Sequence, residues 1–300
     1  MKQLRDIGED ALIERLVRLV PHAEADAGGP GDDCAVIDPG PGSPMLRLLK
    51  TDALVESIHF TREAPARAVG WKAIARVVSD FAAMGGEPEH FLVTIALPKS
   101  TEVSWIEDFY RGMGDCMALF GATLAGGETS SAPENAPAFI SIAATGRVER
   151  GHLVLRSTAK PGHDLLVTGK LGGSLSGKHL DFTPRIAEAA WLVRHFKPSA
   201  MMDLSDGLGK DLPRLASASG CGFVIDETAL PLSENATARQ AIGDGEDFEL
   251  LFSLPPDQTT GLLETWPEIF PDLTLTVIGK TTPPGKGMEL TGGWDHFKQD

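Results

Sequence analysis

Five short stretches of the sequence place a carboxylate beside glycine, serine or threonine. They are Gly31-Asp32-Asp33-Cys34, Lys50-Thr51-Asp52, Ser79-Asp80, Gly126-Gly127-Glu128-Thr129 and Asp203-Leu204-Ser205-Asp206-Gly207. Acidic oxygens suit Mg²⁺, which takes an octahedral shell of a few carboxylates, waters and the phosphate oxygens of a substrate. Neighbouring glycines let backbone N–H groups approach a phosphate, and hydroxyls can complete the shell. The same residue types also cap helices and form turns, so one such stretch carries little weight. Five of them, each at the expected end of an element, point to magnesium-supported phosphate chemistry, because strand ends are where α/β folds gather ligands.

A second pattern competes with that reading. Residues 172–179, Gly-Gly-Ser-Leu-Ser-Gly-Lys-His, come within one position of the phosphate loop G-x-x-x-x-G-K-[ST] and follow an expected strand. His179 stands where the loop needs a hydroxyl, and Thr183-Pro184 discourages the long helix that should come next. The stretch therefore reads as a glycine-rich connection close to the ligand.

The elements that must position these residues follow from periodicity. Leu12, Ile13, Leu16, Val17 and Val20 recur at helical spacing and predict a helix over 9–20. Pro65 opens a second helix, lined by Val69, Ile74, Val77, Val78 and Phe81 and stopped by Gly85-Gly86. A third helix covers 103–120. Strands are expected at 34–37, 45–49, 90–97, 123–125 and 139–148, and after a boundary within 147–161 at 164–168, 201–204, 222–225, 248–253 and 273–278. Such alternation predicts helices layered on sheets in both halves, an α/β (α+β) chain divided into 1–148 and 149–300.

Composition narrows the function classes. Forty-two acids against 27 lysines and arginines give a net charge of −15, which repels a nucleic-acid backbone, and no basic run offsets it. The first twenty residues carry charges every few positions, unlike a signal peptide or a membrane span. Cys34, Cys116 and Cys221 are odd in number and far apart, which argues against a disulfide framework or zinc site and suits a cytoplasmic protein.

Taken together with further motifs, these stretches resemble the thiamine-monophosphate kinase family, within the ATP-binding superfamily of aminoimidazole ribonucleotide synthetase. The motifs run in family order over nearly the whole chain: GDDCAV (31–36), TDALVESIHF (51–60), SDFAAMGG (79–86), LAGGETS (124–130), LRSTAKPG (155–162), VTGKLGGS (167–174), DLSDGLGKDL (203–212), GEDFELLF (245–252) and WDHF (294–297). The resemblance implies two α/β domains, the first with a mixed sheet that forms a barrel with a second subunit's, and ATP bound in the domain cleft of that homodimer. It implies several Mg²⁺ ions held by Asp33, Thr51, Asp52, Asp80, Glu128, Asp203 and Asp206, with Lys50 offering a backbone oxygen. Gly127, Glu128, Arg156 and Ser205 would contact ATP, the co-substrate, and His59, Glu246 and Trp294 would contact thiamine monophosphate. Direct in-line transfer to an ionised phosphate needs no catalytic base.

The chain departs from the family at Glu128, where aspartate is usual, at Lys50, where serine is common, and in a shortened stretch between Gly177 and Asp203. Two alternatives follow: another ATP-using synthetase of the superfamily, or a nucleotide-binding paralogue without catalysis. No partner in nucleic acid or membrane is expected.

Overall fold

The structure is a computed structural model and describes residues 2–22 and 29–298. A first sheet is built from β1 (Ala35–Ile37), β2 (Met45–Val55), β3 (Glu87–Pro98), β4 (Thr123–Ala132) and β5 (Phe139–Glu149) in the order β1-β2-β5-β3-β4. It is mixed: β3 and β4 run parallel, the other neighbours antiparallel. A second sheet, antiparallel throughout, holds β6 (Asp164–Thr168), β7 (Ala200–Asp203), β8 (Gly222–Ile225), β9 (Leu250–Leu254) and β10 (Leu275–Thr282) in the order β7-β9-β6-β10-β8.

Helices α1 (Glu9–Val17), α2 (Ala66–Ala83) and α3 (Val103–Leu119) precede the second sheet, and α4 (Ile186–His195), α5 (Leu208–Ala218), α6 (Ala238–Gly243) and α7 (Pro256–Ile269) are interleaved with it. The central element is α2. Pro65 fixes the chain direction before its first turn, and Gly85, at φ +71, reverses the chain after its last. Val69, Ile74, Val77, Val78 and Phe81 are all fully buried, most of them against the first sheet, while Ala82 and Ala83 pack into the cluster of the second half. Phe81→Ala would leave a cavity there and cost about 3–5 kcal/mol. Helices α2 and α3 meet backbone to backbone: a Cβ at Gly70 would lie 1.9 Å from the Phe109 carbonyl oxygen, and one at Gly112 equally close to that of Arg67. Only glycine fits either position.

Three expectations change. β2 runs on through Lys50-Thr51-Asp52 to Val55, so this triplet lies within a strand and not at its end. β4 likewise carries Gly126-Gly127-Glu128-Thr129 inside a ten-residue strand. Both strands keep their ladder partners, which satisfy the backbone and override the loop-like composition. Helix α1 buries none of its residues: Ile13 and Leu16 stay exposed, and the helix is tied to the rest of the chain by charge.

Candidate active site

Helix α2 presents Lys72, Arg76 and Asp80 at intervals of four, which puts all three on one helical face. With a rise of about 1.5 Å per residue, this polar stripe extends about 12 Å. Each member serves a different part of one cleft.

At the Asp80 end, carboxylate oxygens of Asp33, Asp80 and Asp203 lie within 4.8 Å of one another, all three residues buried. They come from the loop before β1, the last turn of α2 and the end of β7. Each has a fixed donor. Arg156 grips Asp33 with two bonds, Nη2 to Oδ1 at 2.6 Å and Nε to Oδ2 at 3.0 Å. Lys50 Nζ donates to Asp80 Oδ1 at 2.5 Å, and Ser79 Oγ to Asp203 Oδ2 at 2.6 Å. Burial, reinforced by the Asp33 charge, pushes Asp203 up to about 7. Burial likewise raises Asp80 well above the carboxylate range, with Lys50 opposing it. Carboxylates crowded and desolvated in this way are short of positive charge, and their hard oxygens fit a divalent cation such as Mg²⁺.

Around this cluster opens a cleft of about 740 Å³ whose walls include Glu9, Asp52, Arg76, Arg156, Ser205, Asp206, Lys210 and Arg214. Arg76 is paired with Asp52, its Nε 3.2 Å from Oδ2 and its Nη2 donating to Oδ1 at 3.3 Å, while Nη1 donates to the Ala53 carbonyl at 3.2 Å. Arg214 Nη1 donates to Asp206 Oδ2 at 2.6 Å, while Lys210 Nζ reaches Glu9 at 2.6 Å, so α1 is held over the cleft by α5.

At the Lys72 end lies a smaller, more enclosed pocket of about 90 Å³ lined by His59, Arg76, Ser205, Asp206, Glu246, Phe248, Trp294 and His296. The fully buried Lys72 ammonium donates to the His59 carbonyl at 2.6 Å and to Glu246 Oε2 at 2.7 Å, and sits 2.8 Å from His179 Nδ1. Burial alone would raise the Glu246 pKa, but His179 and Lys72 hold it down to about 2. Burial lowers Lys72 to about 8, so both partners are charged at neutral pH. Burial and the nearby Arg76 lower His59 to about 4. Its Nδ1 accepts from the Val55 N–H at 3.0 Å, which leaves the neutral ring with its proton on Nε2. Glu246 and Phe248 both adopt positive φ, 54° and 51°, a strain retained where a side chain must be aimed.

The cleft and the pocket share Arg76, Ser205, Asp206, Phe248 and His296 and are therefore contiguous. Of the residues singled out from sequence, Asp33, Lys50, Asp52, Asp80, Arg156, Ser205, Asp203, Asp206, His59, Glu246 and Trp294 meet here. Three do not. Thr51 is exposed on the opposite face of β2 from Lys50 and Asp52, as strand alternation requires. Gly127 and Glu128 lie on β4, an edge strand exposed along nearly its whole length, and line neither cavity. A Cβ at Gly127 would stand 2.0 Å from the Val93 carbonyl oxygen, so that glycine is required by strand packing.

Sequence reasoning missed Lys72, Arg76 and His179. The spacing of Lys72, Arg76 and Asp80 on a helix was the available signal, and the near-phosphate-loop contained the third. That loop lacks the phosphate-loop arrangement: Lys178 Nζ is paired with the buried Glu249 at 3.1 Å, and two short 3₁₀ turns, Ser174–Ser176 and Lys178–Leu180, stand in place of a helix. It brings His179 Nδ1 to 3.0 Å from Glu246 Oε2.

A two-sheet fold with a buried acid cluster at the seam defines the class, an AIR synthase-like protein. The description "AIR synthase related protein, N-terminal domain" matches residues 31–148, and its C-terminal counterpart matches 160–288. Among relatives, the thiamine-monophosphate kinase of Rhodopirellula baltica is 38% identical over 77% of each chain, and that of Aquifex aeolicus 32% identical over 98% of this chain and 100% of its own. The solved structure "AaThiL complexed with AMPPCP and TMP" superposes with a TM-score of 0.83 at 31% identity, over 99% of both chains. A HypE–HypF complex shares the fold alone, at 19% identity and a TM-score of 0.75. The chain belongs to the thiamine-monophosphate kinase family.

Proposed function

We propose that this chain transfers the γ-phosphoryl group of ATP to thiamine monophosphate, giving ADP and thiamine diphosphate in thiamine diphosphate biosynthesis. The observation that carries this reading is the continuity of the acid-lined cleft with the pocket of His59, Glu246 and Trp294. It offers one place for a triphosphate and an adjoining one for an acceptor. The relative solved with AMPPCP and TMP has the same fold over nearly its full length.

Asp33, Asp80 and Asp203, with Asp52 and Asp206 beside them, would hold several Mg²⁺ ions. Magnesium bound there would neutralise the triphosphate and the charge that develops on the transferred group. The chain's own groups do the rest. Ser205 and Arg76, shared by both cavities, mark the seam where the terminal phosphate and the acceptor phosphate meet. Arg156, now neutralised by Asp33, can offer its planar fork to phosphate. His59 presents an Nε2 proton to the acceptor, and the Trp294 face suits a cationic heterocycle such as the thiazolium ring. An acceptor oxygen then attacks the γ-phosphorus in line as the bond to ADP breaks. Because a phosphate monoester is ionised near neutral pH, no side chain has to remove a proton; positioning and charge supply the rate.

The protein acts as a cytoplasmic homodimer in this reading. Residues 1–148 bind nucleotide and metal, and residues 149–300 complete the cleft. The exposed edge strand β4 joins a barrel across the two-fold and carries Gly127 and Glu128 towards the partner's nucleotide. No helix among the described residues is long and apolar enough to cross a membrane. Incubating purified protein with MgATP and thiamine monophosphate, then separating products as thiochrome derivatives, should show thiamine diphosphate accumulating only when both substrates are present. Formation of ADP without that product would reject the acceptor.

A further inference from the structure

Lys50 is a cation within the acid cluster to which the transfer reaction assigns no role. Strand alternation sends its side chain to the same face of β2 as Asp52, and it ends at hydrogen-bond distance from Asp80 with 22% of its side chain exposed. Among the three clustered carboxylates, Asp33 already has a cation in Arg156, whereas the side-chain donor to Asp203 among the described residues is the neutral hydroxyl of Ser79. With a neutral residue at position 50, Asp80 and Asp203 would face each other with no cation of their own. The ammonium also occupies Asp80 Oδ1, so a divalent ion sharing that oxygen would stand a few ångströms from a fixed positive charge.

We propose that Lys50 is a built-in cation that replaces one divalent ion in the Asp33–Asp80–Asp203 cluster, so that each active site binds one metal ion fewer than it would with a neutral residue at position 50. The inference rests on the cluster being the metal centre proposed above. A lysine in that role has two consequences. The fold no longer depends on metal to separate the carboxylates, and the centre carries one fixed positive charge where an exchangeable ion would carry two.

The test counts ions. Mn²⁺ is titrated into full-length protein with a saturating non-hydrolysable ATP analogue, and free Mn²⁺ is read by its electron paramagnetic resonance signal. Wild type should bind one ion per chain fewer than Lys50→Ser and Lys50→Met, and Lys50→Arg should match wild type. Melting temperatures in EDTA give a readout independent of activity: wild type should be unaffected by chelation, whereas Lys50→Ser should melt lower and recover when Mn²⁺ is returned. If Lys50→Ser folds poorly, Lys50→Met keeps the aliphatic stem and carries the same count. Equal stoichiometry in wild type and both neutral variants overturns the proposal. Equal stoichiometry together with weaker binding of the analogue would overturn it in favour of a lysine that contacts phosphate. If no protein binds Mn²⁺, and Asp80→Asn changes nothing, the metal-centre reading itself fails.

Discussion

The two ends of the cleft solve opposite problems with the same helix. At the Asp80 end, three carboxylates are packed with too little positive charge, and burial drives Asp203 up to about 7. At the Lys72 end, a single carboxylate is surrounded by donors and driven down to about 2. The first end is poised to accept cations from outside. The second is already neutral within the chain and offers shape, an imidazole proton and aromatic faces. Crowded like charges thus mark where an ion and a nucleotide enter, and a closed ion pair marks where the fold holds a side chain still for an acceptor.

The largest effect should come from the open end. Asp80→Asn removes one carboxylate of the cluster, which by the usual several kcal/mol of metal-assisted stabilisation slows turnover by about a thousandfold or more. Circular dichroism should remain native. Near-normal ADP formation by that variant would erase the contrast between the two ends.

Lys72→Met attacks the closed end. It leaves Glu246 buried beside a single histidine, and denaturant unfolding should show a loss on the order of 3 kcal/mol. Adding Glu246→Gln should restore much of that stability, since the stranded charge is then gone. Full additivity of the two losses would show that the pair does not couple.

A pH series sharpens the same point. Glu246 has its pKa lowered from 4.5 to about 2 in the folded protein, so the stability it contributes is complete above 4.5 and is lost as pH falls towards 2. Glu246→Gln should therefore show a shallower loss of melting temperature across that window than wild type. Parallel curves would contradict the assignment.

The smallest effect is expected at Trp294. Replacing it with alanine removes about 1 kcal/mol of cation–π contact, a rise of roughly fivefold in the KM for thiamine monophosphate with the KM for ATP unchanged. An equal change for both substrates would place the indole at the seam and not in the acceptor pocket.

Much of the open end was legible in the sequence because acids flanked by glycine and serine are locally distinctive. Asp33, Asp80, Asp203 and Asp206 were found in this way, together with the helix and strands that carry most of them. The closed end was legible only through family resemblance. Lys72 shares a polar stripe with Arg76 and Asp80 that local spacing can show, but its partner Glu246 stands 174 residues further on, a distance no local pattern spans. Strand lengths failed for a related reason. Lys50-Thr51-Asp52 and Gly126-Gly127-Glu128 look like strand exits by composition, yet β2 and β4 continue through them because partner strands supply the ladder. A tertiary neighbour decided the element in each case.

In the proposed reaction the phosphoryl group passes directly from one end of this cleft to the other. A single-turnover experiment with γ-³²P-labelled ATP, excess enzyme and thiamine monophosphate tests it. The label should appear in thiamine diphosphate at the rate at which it leaves ATP, with none retained on protein after acid quench. Label trapped on the protein, or released as orthophosphate while thiamine monophosphate remains unchanged, would contradict direct transfer between the two ends.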